Sequence, residues 1–133
     1  MTAENVHVIE IRTPTEGFVD LTPQVRSYVS GVGKHDGVCT VFVPHTTAGV
    51  TINENADPDV QHDLLLAFSR MVPDQPEFRH AEGNSSAHTK ASIVGSSVNV
   101  IVADGDLMLG TWQGIYLAEF DGPRERKVWV TVR

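Results

Sequence analysis

Four of the six histidines stand in segments crowded with other polar side chains, and these segments hold the groups best suited to chemistry. The first segment is His45-Thr46-Thr47-Ala48-Gly49, followed by Asn53-Glu54-Asn55 and Asp57. The second, His80-Ala81-Glu82-Gly83-Asn84-Ser85-Ser86-Ala87-His88, places two histidines around a Gly/Asn/Ser turn. The third is Gly110-Thr111-Trp112-Gln113-Gly114, with Glu119 beyond it. His62 lies off the apolar stripe of its predicted helix, which fits a solvated or subunit-contact side chain. His7 and His35 have simple surface explanations.

Imidazole is a good ligand for divalent ions, zinc foremost, and three histidines with one open position form a recognised catalytic site. His45, His80 and His88 are the candidate set. They match none of the local zinc spacings, so only the fold could bring them together. If they bind an ion, Glu82 or Asn53 is placed to take the remaining N–H of one ring. The same three rings could instead hydrogen-bond a phosphate or sit at the surface. His88 falls in the first turn of a predicted helix, where free N–H groups favour an anion, and Asn84 and Ser85 stand beside it. Glu54 is the acid–base candidate, because Asp57 and Asp59 are already explained as helix-start acids. Trp112 could stack on a flat ring or belong to the core.

The elements that must position these groups are mostly strands. Residues 6–12 are rich in β-branched side chains and read as a first strand. Thr22-Pro23 reads as a cap and first-turn proline for a helix carrying Val25, Val29 and Val32, stopped at Gly31 and Gly33. A turn at Asp36-Gly37 leads to a strand over 38–43, closed by Pro44, and residues 51–53 are short and extended. Asp57-Pro58-Asp59 is the strongest helix start, and Val60, Leu64, Ala67, Phe68 and Met71 follow on one face, which predicts a packed helix. Pro73 ends it. Residues 73–85 are polar and irregular, a length usually kept for function or disorder. Ser86 is the predicted cap of a helix through Val94, with Gly95 as its stop. Strands are then expected over 98–103, from Leu107, over 114–120 and over 127–132, with turns at Asp104-Gly105 and Asp121-Gly122-Pro123. The 98–103 and 127–132 strands are expected in one sheet system. The fold class is α+β and mostly β: an antiparallel sandwich or barrel-like pair of sheets with two or three packed helices.

Length and composition fit that outline. A chain of 133 residues with 41% hydrophobic and 20% charged side chains reads as one globular domain spanning 1–133. Ten Lys and Arg against 17 Asp and Glu leave a formal charge of -7, the wrong sign for a generic nucleic-acid binder. Local donors can still bind a small phosphorylated molecule. The single cysteine, Cys39, lies in an apolar strand and reads as a buried small hydrophobe. Residues 1–12 show no signal-peptide core and no stretch reaches membrane-spanning length, so no membrane association and a cytoplasmic location are expected.

The strings HTTAG, TINENADPDVQHD, HAEGNSSAH and LGTWQGIYLAEFDGPR closely resemble the YjbQ-like family, in order and over residues 17–132. The resemblance implies a β-rich sandwich with helices, assembled as a homotrimer. It also implies thiamine-phosphate synthase activity, joining a pyrimidine diphosphate to a thiazole phosphate with release of pyrophosphate. The family's polar positions fall on His45, Thr46, Asn53, Glu54, Asp57, His62, His80, Glu82, Gly83, His88, Gly110, Trp112, Gln113 and Glu119. From the residues and the resemblance together, Glu54, His88 and His45 are the expected catalytic groups. Thr46, Asn53, Asn84, Ser85, Trp112 and Gln113 would hold substrate, and His45, His80 and His88 would hold a divalent metal, zinc by preference. Two other functions remain open: a metal-dependent hydrolase of a small phosphorylated molecule, and a non-enzymatic trimeric ligand-binding protein.

Overall fold

Alternation of apolar and polar side chains builds two antiparallel sheets whose inner faces share one core. In the computed structural model, which describes residues 5–133, the order is β1 (His7–Arg12), β2 (Gly17–Asp20), α1 (Thr22–Val32), β3 (Gly37–Phe42), β4 (Ala48–Glu54), α2 (Pro58–Met71), α3 (Ser85–Val94), β5 (Ser97–Ala103), β6 (Asp106–Leu107), β7 (Gln113–Glu119) and β8 (Glu125–Val132). A five-stranded sheet runs β1-β8-β3-β5-β6, and a three-stranded sheet runs β2-β7-β4. The architecture is α+β and mostly β, as expected. β5 and β8 share the larger sheet with β3 between them.

Val41, Val100, Val128, Val130, Ile115 and Leu117 meet between the sheets, joined by Val25 and Val29 of α1. Cys39 is buried among them, and burial pushes its thiol up to about 11. A second, smaller cluster lies on the other face of the small sheet, where Ala87 and Ala91 of α3 meet Ala118 and Phe120, with Phe18 and Phe68 alongside.

Local details depart from the sequence reading. Thr22 is the first helical residue rather than the cap; its N–H donates to Asp20 and its hydroxyl accepts from the Ile115 N–H. Ser86 likewise does not cap α3; Asn84 holds that place, and the Ser86 hydroxyl donates to the Val72 carbonyl. Asp57 caps α2 as expected, accepting from the Asp59 N–H at 2.9 Å. The packing of α2 is looser than its apolar stripe predicts. None of its residues is fully buried, Val60 and Leu64 are half-exposed, and Met71 is open to solvent. Its main aromatic contact is Phe68 edge-on to Phe120, with ring centroids 5.5 Å apart. Strands β2 and β4 extend beyond the sequence outline, since Phe18, Val19, Ala48 and Val50 gain their partners only through β7.

One glycine sets how α3 lies on this scaffold. The Val50 N–H donates to the Gly95 carbonyl at 3.0 Å, and a Cβ at Gly49 would sit 2.6 Å from that same oxygen. A bare backbone at Gly49 therefore lets the end of α3 rest against β4.

Candidate functional site

The chain leaves β3 at Pro44 and returns into β4 at Ala48, and the connecting residues form one wall of a cleft of about 440 Å³. His45, Thr46 and Thr47 come from this connection, His80, Glu82, Asn84 and His88 from the second polar segment, Asp121 and Arg124 from the β7–β8 connection, and Arg126 from the start of β8. The fold thus gathers all three histidines of the candidate set around one opening. The His80 and His88 rings meet edge to face, with centroids 5.4 Å apart. Ser85 opens α3 next to Asn84. The Asn84 side chain makes no capping bond, so the first N–H groups of α3 lack the usual side-chain acceptor.

Beneath the cleft lies an ion pair. Glu119 is 0% exposed and Arg126 5% exposed. Arg126 donates from Nε to Glu119 Oε1 at 2.7 Å and from Nη2 to Oε2 at 2.5 Å. Nη2 also reaches Thr47 Oγ1 at 2.9 Å. Glu119 further accepts the Thr13 hydroxyl at 2.6 Å and the Asp121 N–H at 3.0 Å. Burial pushes the Glu119 carboxyl upward, but the bonds from Arg126, Thr13 and Asp121 outweigh it and hold the group below the usual glutamate value. A second pair stands at the rim, where Arg124 and the Asn84 Nδ2 both donate to Asp121 Oδ2, at 3.0 and 2.8 Å. The carboxylate thereby fixes which way the amide points. Asn84 Oδ1 is buried and has no partner among the described residues.

His45 is fixed in one tautomer. Its Nε2 accepts the Lys127 backbone N–H at 3.0 Å, so the proton of the neutral ring sits on Nδ1. Burial, followed by the charge of Arg126, holds this histidine below the usual value and favours the neutral form. This geometry bears on the expected metal. Among the described residues no group of three or more His, Cys, Asp or Glu is placed to hold one ion, and His45 has already committed the nitrogen with a free lone pair. The three-histidine set is therefore not assembled as a coordination site within this chain; His80 and His88 form a pair, and His45 is a hydrogen-bonding group.

The remaining expected residues lie elsewhere. In the β4–β7 ladder Ala48 faces Glu119 at the cleft end, whereas Glu54 faces Gln113 at the other. Six residue steps along β4 separate the two ends by about 20 Å. Asn53, Glu54, Trp112 and Gln113 gather at that far end, where the Asn55 N–H donates to the Trp112 carbonyl. Glu54 Oε2 there accepts the Asp57 N–H, and Trp112 is 63% exposed rather than a core residue. Within one chain Glu54 cannot act on a molecule that His88 touches. Within one chain Glu54 therefore stands apart from His45 and His88, and Asn53, Trp112 and Gln113 stand apart from Thr46, Asn84 and Ser85.

Thr47, Asp121, Arg124 and Arg126 were not singled out from the sequence. Strand parity carries a signal for two of the buried groups. Arg126 shares the inward parity of Val128, Val130 and Val132, and Glu119 that of Ile115 and Leu117. An Arg and a Glu at the inward ends of strands consecutive in sequence are each costly alone and tolerable as a pair.

Comparison with known proteins places this arrangement in context. A family model described as UPF0047 protein YjbQ-like matches residues 7–133. A UPF0047 protein of Methanocaldococcus jannaschii is 52% identical over 117 residues, covering 88% of this chain and 85% of that protein. The UPF0047 protein YugU of Bacillus subtilis is 50% identical over 119 residues, covering 89% of this chain and 90% of its own length. Among solved structures, an uncharacterised conserved protein of the same family from Clostridium acetobutylicum superposes with a TM-score of 0.93 at 50% identity, covering 96% of this chain and 99% of that one. A protein of unknown function from Sulfolobus solfataricus gives 0.90 at 32% identity, covering 96% and 94%. Sequence and fold agree along almost the whole length, so the chain belongs to the YjbQ-like UPF0047 family.

Proposed function

We propose that the cleft around His45, His80 and His88 binds a small phosphorylated molecule and catalyses the transfer expected from the family resemblance. A pyrimidine diphosphate would be joined to a thiazole phosphate as pyrophosphate departs. The observation that carries this reading is the meeting of the His80–His88 pair, the start of α3 and a buried arginine on one opening of about 440 Å³. That volume suits a small ligand.

The bond from the pyrimidine methylene carbon to the pyrophosphate oxygen breaks as the carbon bonds to the thiazole nitrogen. Departure becomes easier when the leaving oxygens are met by fixed donors. His88 or His80, when protonated, supplies the proton that the leaving group takes up. His45, neutral and protonated on Nδ1, acts as a donor that orients rather than as a base. Within one chain Glu54 lies too far from these groups to take part.

The test is formation of thiamine phosphate from the two precursors by purified protein. His88→Ala is expected to lower the rate about 10²-fold or more, as for loss of a positioned proton donor; Glu54→Gln leaves it unchanged if each cleft is built from one chain and lowers it if a neighbouring chain's Glu54 reaches the cleft. A protein silent with both precursors present removes the transferase reading. The paired His80 and His88 rings favour one second reading, hydrolysis of a phosphoester, and a phosphoester panel run in parallel separates the two. Tight binding without turnover in either assay returns the protein to a ligand-binding role.

We also propose a homotrimer as the working assembly. Its support is the outer face of the five-stranded sheet, which no helix covers among the described residues. There Phe42 and Trp129 stack with centroids 5.9 Å apart, and Val38, Ile101 and Met108 are exposed beside them. Apolar side chains grouped in this way are characteristic of contact surfaces.

A further inference from the structure

Arg126 is the one cleft residue whose charge is buried, oriented on two sides and incompletely used. Its Nε and Nη2 face the Glu119 carboxylate in a bidentate pair, and Nη2 spends its second hydrogen on Thr47. Nη1 has no hydrogen-bond partner among the described residues, and it is not one of the buried, unpartnered atoms. The guanidinium therefore keeps two N–H donors while its plane is held by a carboxylate that itself accepts four hydrogen bonds. The hydroxyl of Thr47 is in a similar state, since its oxygen accepts from Arg126 and its hydrogen remains to be given. His45 adds its Nδ1–H. All three residues line the same cleft.

We infer that Arg126 is the phosphate-binding residue of this cleft, taking a terminal phosphoryl oxygen on Nη1, and that Glu119 is a positioning residue that aims it. The inference rests on the proposed binding of a phosphorylated molecule and names the group that receives the phosphate. Arginine suits the role because its planar fork pairs with phosphate oxygens in defined directions, and an arginine already oriented loses little freedom when the ligand arrives. Thr47 and His45 complete the donor set as neutral groups. The bound anion thus meets three fixed donors and one positive charge whose partner, Glu119, lies on the far side of the guanidinium. Arg124 at the rim differs. About half its side chain is exposed, and its Nη2 and Nε are occupied by Asp121, so it screens the entrance and is not the anchor.

The probes are inorganic pyrophosphate and phenyl phosphate, titrated calorimetrically into the whole chain in metal-free buffer. Pyrophosphate represents the leaving group and phenyl phosphate a phosphate monoester, so their relative affinities show which phosphate Arg126 holds. Arg126→Lys keeps the charge and loses the fork; it is expected to weaken binding of the preferred probe about ten-fold or more, the loss of one charge-assisted hydrogen bond. Glu119→Gln should weaken the same probe while leaving the other groups of the cleft in place. Because either variant could fail to fold, the unsubstituted protein supplies an independent reading. In a ¹H–¹⁵N spectrum of arginine side chains, the Arg126 Nε–H signal should be protected in the free protein and shift on addition of the probe. A purely structural role for the ion pair predicts no such shift. If the unsubstituted protein binds a probe but the Arg126 signal stays fixed, or Arg126→Lys binds equally well, the assignment is overturned and the phosphate reading stands. If it binds neither probe, both fall together.

Discussion

Replacing Arg126 with Met tests the ion pair at the base of the cleft. The substitution preserves most of the side-chain volume and removes two of the four hydrogen bonds to Glu119, leaving only the Thr13 hydroxyl and the Asp121 N–H. Glu119 is 0% exposed, so water cannot replace what is lost. Stranding one partner of a buried pair typically costs about 3–5 kcal/mol. With an unfolding entropy of about 2.1 cal/mol/K per residue, 133 residues give about 0.28 kcal/mol/K, so the midpoint should fall by roughly 11–18 °C. Glu119→Leu combined with Arg126→Met removes both charges and should recover most of that loss. Calorimetric melts at one fixed protein concentration measure both effects, since assembly would make the midpoint concentration-dependent. The pair also sets an acid limit. Glu119 is held below its usual value, so its contribution is full above the unfolded-state value of about 4.3 and is lost as pH falls through the folded value. A single variant that melts within about 3 °C of the unsubstituted protein, or a double variant no more stable than the single, would show that the pair contributes little to stability.

Three further outcomes are expected. His45 is held below its usual value, so the unfolded chain takes up the proton first; stability should decline as pH drops below about 6.5 and level off beneath the folded value, and His45→Gln should flatten that slope in urea titrations. Any zinc retained after reloading chelator-treated protein should depend on His80 and His88 and not on His45; elemental analysis showing equal loss in all three alanine variants would restore the three-histidine site. Trp129→Asp on the uncovered sheet face should shift light scattering from trimer toward monomer without lowering pyrophosphate affinity, and a protein monomeric at micromolar concentration before substitution would remove the assembly from consideration.

Much of the framework was legible because it depends on local chemistry. Asp57-Pro58 announces α2 whatever surrounds it, and the alternating valines of β8 show their buried face directly. β2 and the first half of β4 were harder to see, since their pairing with β7 bridges residues about a hundred and about seventy positions apart. The apolar stripe of α2 indicated a face but not its depth, because burial depends on what lies opposite, and the small sheet offers chiefly Phe120 and Phe18. At the site, the clustering of His45, His80 and His88 was readable as a set of reactive types, and the fold does bring them to one cleft. Glu54 was grouped with them as the acid not needed for a helix start and by family resemblance, yet the extended strand β4 carries it far from His45 within one chain. Arg126 drew no attention because a lone arginine near a strand start usually reaches solvent; only the inward parity it shares with Val128 marks it out.

The order of strands in the larger sheet has a consequence for how the protein is made. β8, the last of the eight strands, lies between β1 and β3, so this interior place in the sheet is filled after both neighbours have been synthesised. Until then β1 has no neighbour in its sheet, and one edge of β3 stays open. The same late strand carries Arg126 and the backbone N–H that fixes His45. A growing chain therefore leaves β1 unpaired and one edge of β3 open, and possesses no finished cleft until β8 arrives. Pairing across such separations is slow and leaves those edges open to other chains meanwhile. Binding competence should thus appear in a single late step with closure of the sheet, rather than accumulate as the earlier elements form.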